Sequence, residues 1–216
     1  LKFNQKDAGI EVERLHFVPD GKEGMVILFK IKNVDNSTKN LRFDFNAYVD
    51  LMPVWLGERT GMIDNADEIT FNEQTNTFTG KDQGNDWFVV WGSAEGLVLE
   101  QKESTTCTMT PKGKGANAGF GLEINLPAGS EQIVPVYISG STESELKALE
   151  TLADLRHNLT QDWSAKKDRY ASLAQISEIT IPDKELEQAF KWIKYNTDWL
   201  IREVPGQGRG FGAGLQ

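Results

Sequence analysis

The 216-residue chain holds a single cysteine, Cys107, and only two histidines, His16 and His157. One thiol cannot form an internal disulfide, so no disulfide framework is available. A catalytic thiolate needs an activating base, and neither histidine sits in a nucleophile motif. No stretch is long and apolar enough to span a bilayer, and no secretory leader is visible in "LKFNQKDAGIEV". Positive charge is also scarce. The 23 basic residues face 32 acidic ones, for a net charge of -9. Such a chain repels polyanions, which argues against nucleic acid and anionic membrane as partners. Neutral polar ligands such as sugars remain compatible with it.

Hydrophobic residues make up 39% of the sequence and charged residues 25%, an ordinary globular balance. Up to about residue 140 the chain reads as strands. "LRFDFNAYVDL" alternates, with Leu41, Phe43, Phe45 and Ala47 on one face and Arg42, Asp44 and Asn46 on the other. "GMVILFKIKNV", "DWFVVWGS" and "GLVLEQK" are short runs rich in β-branched and aromatic residues. "FGLEINLPAGSEQIVPVYISGS" contains two strands joined by a "PAGS" turn. Many short strands at this spacing predict an antiparallel β-sandwich. Pro53, Pro111 and Pro135 are then expected at strand starts, edges or loops.

The period changes at Ser141. "STESELKALETLADLRHNLTQDWSAKKDRYASLAQIS" opens with an N-cap candidate, and Leu146, Leu149, Leu152 and Leu155 recur at helical spacing, as a buried stripe would. After "ITIPDK", with Pro182 suited to a first helical turn, "KELEQAFKWIKYNTDWLIREV" carries Leu186, Ala189, Phe190, Ile193 and Leu200 at spacings of three and four, and Thr197 falls in the same series. Trp192 and Trp199 lie on a neighbouring face. Such a wide apolar arc predicts a helix packed on more than one neighbour, and the chain supplies few helices to surround it. Pro205 is expected to end this helix. The boundaries read as a β-sandwich over 1–140, a helical linker over 141–180 and the start of a second domain over 181–216.

The stretch "EVPGQGRGFGAGLQ" places Gly206, Gly208, Gly210, Gly212 and Gly214 around Arg209 and Phe211. A phosphate-binding loop needs a preceding strand and a Lys-Ser/Thr pair opening a helix, and neither is present. A flexible terminus is one alternative. A shaped loop, whose glycines let backbone approach a ligand closely, is the other. A second candidate lies in "MPVWLGERTGMIDNADEI", where Glu58, Asp64, Asp67 and Glu68 gather near Trp55. An aromatic platform with carboxylates suits a sugar, whereas a solvated acidic hairpin loop explains the same residues more simply. The cluster lacks the ligand spacing and central glycine of a calcium loop, so no metal is expected there. Of the six tryptophans, Trp87 and Trp91 would share a strand face as core residues. "NST" at Asn36 and "NLT" at Asn158 fit the glycosylation pattern.

"ISEITIPDKELEQAFKWIKYNTDWLIREVPGQGRGFGAGLQ" resembles the entrance to the catalytic domain of bacterial glycogen-debranching-type glycoside hydrolases, the amylo-α-1,6-glucosidase and glucoamylase-like enzymes with an (α/α)6 barrel. The match runs through Ala213 and Gly214 and departs at Leu215. It covers roughly the last third of the chain; over the sandwich the likeness is one of architecture only. The resemblance implies a mainly β fold: a supersandwich-like antiparallel β-sandwich, linker helices, and the first helix of a truncated (α/α)6 barrel. It implies a non-catalytic N-terminal part supporting a hydrolase that acts on α-linked gluco-oligosaccharides or related neutral glycans, mostly with inversion. Inversion uses a separated acid and base, and neither can be placed on this chain. Gly206, Gly208, Arg209, Gly210 and Gly212 would line the rim of the sugar site, and the loop carrying Trp55 would border it. Acid–base hydrolysis needs no cofactor. The expected partner is an oligosaccharide or polysaccharide in the full-length protein, with no nucleic acid and no membrane. An uncovered barrel helix would favour a dimer. The resemblance places such an enzyme in the periplasm or outside the cell rather than in the cytoplasm. A free-standing carbohydrate-binding or protein-interaction β-sandwich is the alternative.

Overall fold

A computed structural model describes residues 2–5, 8–53, 57–94, 100–102, 114–204, 206 and 208–212. Its strands are β1 (Lys2–Gln5), β2 (Ile10–Phe17), β3 (Gly24–Asn33), β4 (Lys39–Val49), β5 (Asp67–Asn72), β6 (Thr77–Asp82), β7 (Phe88–Ser93), β8 (Glu100–Lys102), β9 (Ala116–Leu126), β10 (Glu131–Ser141), β11 (Ile201–Val204) and β12 (Gly208–Phe211). Its helices are α1 (Glu145–His157), α2 (Leu159–Gln175) and α3 (Lys184–Trp199). The chain forms two compact units, residues 1–159 and 160–216.

The first unit is an antiparallel β-sandwich followed by a helix. One sheet has the order β1-β2-β3-β10-β7-β6-β5, and the other has the order β4-β9-β8. Alternation builds the core between them. In β4 the residues from Leu41 to Ala47 on the odd positions turn inward and their even neighbours stay exposed. Val134, Val136, Ile31 and Trp91 of the large sheet meet Phe120, Leu122, Ile124 and Leu126 of the small one. Phe78 stacks on Trp91 at 5.3 Å between ring centroids and lies 6.2 Å from Phe120, which ties the layers together.

Pro135 departs from expectation. It lies within β10, which pairs with β3 on one side and β7 on the other. Pairing with β7 begins one residue later, at Val136, so among the described residues β10 is flanked by β3 alone at the proline. The missing N–H therefore breaks no ladder on the β7 side. The Pro135 carbonyl accepts instead from the buried Ser93 hydroxyl at 2.6 Å.

Helix α1 covers the other face of the large sheet. Ser144 caps it by accepting from the Lys147 N–H. Its buried residues are Ala148, Leu152 and Leu155, at i, i+4 and i+7. The leucine stripe is thus only half right, since Leu146 is 65% exposed. The Ala148 carbonyl accepts from the buried Ser139 hydroxyl at 2.7 Å. Gly24 permits this close docking: a Cβ there would stand 2.7 Å from the Leu155 side chain. The long helical reading from Ser141 onward breaks at Asn158, the C-cap of α1.

The second unit holds α2, α3 and a β11-β12 hairpin. Asp183, not Pro182, begins α3, its carboxylate accepting from the Glu185 and Leu186 N–H groups. The helix ends at Trp199, five residues before Val204, and Pro205 lies outside the described residues. Arg169 of α2 donates to both carboxylate oxygens of Asp198 in α3, at 2.6 and 2.7 Å. Lys194 caps the end of α2 by donating to the Ala174 and Ile176 carbonyls. Trp199 donates its indole N–H to the Tyr170 hydroxyl, and Tyr170 meets Tyr195 edge-on.

Candidate functional site

The glycine-rich stretch forms a hairpin rather than a loop. Arg202 pairs with Gly210, Glu203 with Arg209, and Val204 with Gly208. Gly206 and Gly208 have φ of +76° and +96°, a conformation the reversal needs and other residues rarely adopt. Gly210 has no such φ, and a Cβ there would meet nothing within 4 Å. Its small size answers no demand of the hairpin itself. Arg209 and Gly210 are exposed, and Phe211 is 73% exposed. Gly212 abuts the Arg202 side chain. Trp55, the other expected sugar contact, lies outside the described residues, as do Cys107 and Gly214.

Within the sandwich unit a pocket of about 440 Å³ opens at one end. Met52, Pro53 and Met62 of the 50–66 loop form one wall, Trp87 and Phe88 another, and Glu23 and Thr142 supply its polar edge. Trp87 precedes β7 and is half-buried, while Trp91 is fully buried. The two tryptophans therefore divide between pocket and core, where the sequence predicts a shared core face. A second cleft lies near Tyr137, Arg156 and His157, with Asp154 in its lining. Asp154 there pairs with Lys22 at 2.5 Å and accepts from Asn158, and the Lys22 contact holds its carboxyl below the usual range.

The described ends of the acidic loop are tied to the sandwich by hydrogen bonds. Its anchor is Asp82, at the end of β6, which is completely buried. Five donors converge on that carboxylate: the Asn65 N–H and side-chain amide, the Gly84 N–H, and the Asn85 N–H and side-chain amide, at 2.7–3.2 Å. Burial pushes its pKa up, but the bonds from Gly84, Asn65 and Asn85 outweigh it and hold the group ionised below the usual range. Its lone pairs are committed to structure. Directly opposite, in the β5–β6 register, stands Asp67. Its Oδ2 accepts from the Leu51 N–H at 2.8 Å, which ties the two ends of the loop. Its Oδ1 is buried without a hydrogen-bond partner among the described residues, and so are Oδ1 of Asp50 and Oδ1 of Asp64. Burial, and repulsion from Asp82, Asp50 and Asp64, push the Asp67 carboxyl up against the single bond from Leu51. Glu68 remains exposed. The sequence reading overlooked Asp82, although "DQGND", an aspartate followed at i+2 and i+3 by Gly84 and Asn85, is the pattern of a side chain closing its own turn. Among the described residues no group of three acidic, histidine or cysteine side chains is arranged to hold a metal.

No family model matches the chain, and no curated protein matches it. Solved structures do. A protein assigned as a kojibiose phosphorylase from the human microbiome superposes with a TM-score of 0.59 over 94% of the chain, at 12% identity. A bacterial glucoamylase complexed with acarbose matches 80% of the chain at 14% identity with a TM-score of 0.43. A family GH92 α-mannosidase from Bacteroides thetaiotaomicron, in complex with mannoimidazole, matches 97% at 12% identity with a TM-score of 0.42. The chain spans 27%, 26% and 28% of these three proteins, about a quarter of each. At these identities the likeness is one of fold, and it is carried by the first structure.

Proposed function

We propose that this chain is the N-terminal, non-catalytic part of a glycoside hydrolase, comprising a supporting sandwich, linker helices and the first helix of an (α/α)6 catalytic barrel. The observation that carries the reading is α3. Leu186 and Ile193 are 59% and 60% exposed, Trp192 and Trp199 about half, and no residue of the helix is buried. A helix this apolar is stable in water only when its face is covered. The fold match supports the reading, since it spans nearly all of this chain and only 27% of the matched protein. The boundaries proposed are a sandwich over 1–140, a linker over 141–180 and the opening of the barrel from 181.

On this reading the β11-β12 hairpin, with Gly206, Gly208, Arg209, Gly210 and Gly212, borders the sugar site, and Trp55 is proposed as a further sugar contact. Gly210, free of any local demand for glycine, would leave room for a pyranose ring against the backbone. The substrate class is an α-linked gluco-oligosaccharide or related neutral glycan. Catalysis takes place in the barrel, by an acid and a base carried on further chain. The reading places the enzyme outside the cytoplasm, and the uncovered α3 face would pair two copies of this chain when the barrel is absent.

The test compares this chain with the gene product extended to its natural stop codon. Both are assayed on α-glucans and α-linked disaccharides, with and without inorganic phosphate. Sugar release by the extended protein alone is expected. Product that appears only with phosphate would assign phosphorolysis instead. An extended protein inert on every glycan would overturn the reading in favour of a binding module.

A further inference from the structure

The open pocket of the sandwich carries groups that the fold does not use. Three of its lining segments lie at strand ends and are tied together through the backbone. Phe88, at the start of β7, pairs across the ladder with Ser141 at the end of β10. The Trp87 carbonyl accepts from the Asp82 N–H at 3.2 Å, and the Gly140 N–H donates to the Glu23 carbonyl at 2.9 Å. Trp87, Glu23 and Thr142 therefore stand on a prepared frame, which lowers the cost of ordering them around a ligand.

The side chains on that frame are uncommitted. Trp87 is half-buried, and among the described residues no hydrogen bond or ring contact engages it. Trp91, four residues on, shows the contrast, being 1% exposed and stacked on Phe78. An indole left half open offers an apolar face and an N–H donor. Glu23 and Thr142 are exposed, and neither side chain has a hydrogen-bond or ion-pair partner among the described residues. Lys147, which feels the charge of Glu23, is already paired with Glu143. The neighbouring Ser141 hydroxyl, by contrast, is spent on the Glu143 and Ser144 N–H groups.

These groups select a ligand by its chemistry. An anion would meet Glu23 and a chain of net charge -9. A pure hydrocarbon would desolvate Glu23 and Thr142 and give them no partner. A pyranose suits both halves of the lining. Its C–H face covers an aromatic ring, and its rim of hydroxyls donates to a carboxylate. The volume, about 440 Å³, is that of a small-ligand pocket.

We propose that this pocket binds a neutral pyranose, stacked on Trp87 with its hydroxyls on Glu23 and Thr142. The sandwich then holds sugar itself. The choice of a glucoside as its ligand rests on the proposed function.

The test uses this chain, labelled with nitrogen-15, and follows the indole N–H signals during titration with maltotriose. The signal of Trp87 is the one missing from Trp87→Phe. It is expected to shift saturably, while the signal of the enclosed Trp91 stays in place. Trp87→Ala should weaken binding by about tenfold, and Trp87→Phe, which keeps a ring, by less. Glu23→Ala should weaken it by roughly tenfold or more, through loss of a charged acceptor. Glu23→Gln, which retains an acceptor oxygen, should stay within about threefold of the unaltered chain. A Trp87 signal unmoved up to the solubility limit of the sugar, with the sandwich folded by near-ultraviolet dichroism, would overturn the proposal. So would an affinity unchanged in both Trp87→Ala and Glu23→Ala. Tighter binding of benzyltrimethylammonium than of maltotriose, abolished by Glu23→Gln, would overturn it in favour of a cation. The readout is binding by this chain, so it is separate from sugar release by the extended protein, and either can fail without the other.

Discussion

The two units spend similar side chains in different ways. In the sandwich the large aromatic residues Phe78, Trp91 and Phe120 are at most 1% exposed and stack across the layers. In the helical unit Trp192, Tyr195 and Trp199 also touch one another edge-on, yet both tryptophans are about half exposed. Aromatic contact is common to both units, and removal from water is not. The first unit buries its large aromatic side chains between its own sheets. The second is organised by polar devices, namely the Arg169–Asp198 bidentate pair, the Asp183 cap and the Lys194 cap, and it leaves its apolar face unspent.

That contrast can be broken first at the sandwich core. Phe78→Ala should cost about 3–5 kcal/mol, the range for a fully buried aromatic, and urea unfolding followed by tryptophan fluorescence would measure it. A cost below about 1 kcal/mol would mean that the inter-sheet stack is not the core it looks like. The helix caps sharpen the comparison at an intermediate scale. Ser144→Ala and Asp183→Ala should each remove about 1 kcal/mol from their helices. Ser144→Ala should lower the melting transition of the sandwich, because α1 is docked on it through Leu152, Leu155 and the Ser139 bond. Asp183→Ala should reduce helical dichroism and leave that transition in place. The smallest effect is expected at Ile193→Ser. On an exposed face it should change stability by no more than about 0.5 kcal/mol, while shifting the chain towards monomer in light scattering. A large loss of stability there would show that α3 is already covered.

Much of the sandwich was legible because a half-buried strand writes its own period. The β4 alternation and the turn at Pro127–Ser130 both stand as the sequence reads them. Pro135 was misplaced because the proline rule concerns hydrogen-bond partners, and which strand flanks a residue on each side is decided by pairing far along the chain. Leu146 was misplaced because spacings of three drift around a helix, whereas the buried set of α1 follows four and three. The glycine stretch was read as a loop because glycine weakens strands. Four pairs to Ile201–Val204 nevertheless make a hairpin of it. The acidic loop was the least legible. Composition shows carboxylates but not which of them are enclosed, and the residue that encloses them, Asp82, comes from a different strand.

The order of the large sheet also dictates how the protein must be made. Its central strand, β10, is the last of its seven strands to be synthesised, and it alone joins β3 on one side to β7 on the other. Until about residue 141 has left the ribosome, the large sheet can exist only as two three-stranded pieces, β1-β2-β3 and β5-β6-β7, with the open edges of β3 and β7 awaiting a shared partner. Those edges are Val-, Ile- and Phe-rich, the kind that pair with a neighbouring chain when left waiting. Helix α1 follows after a short connection and lands on the strands that β10 has just joined. The large sheet therefore closes only after its last strand has been made.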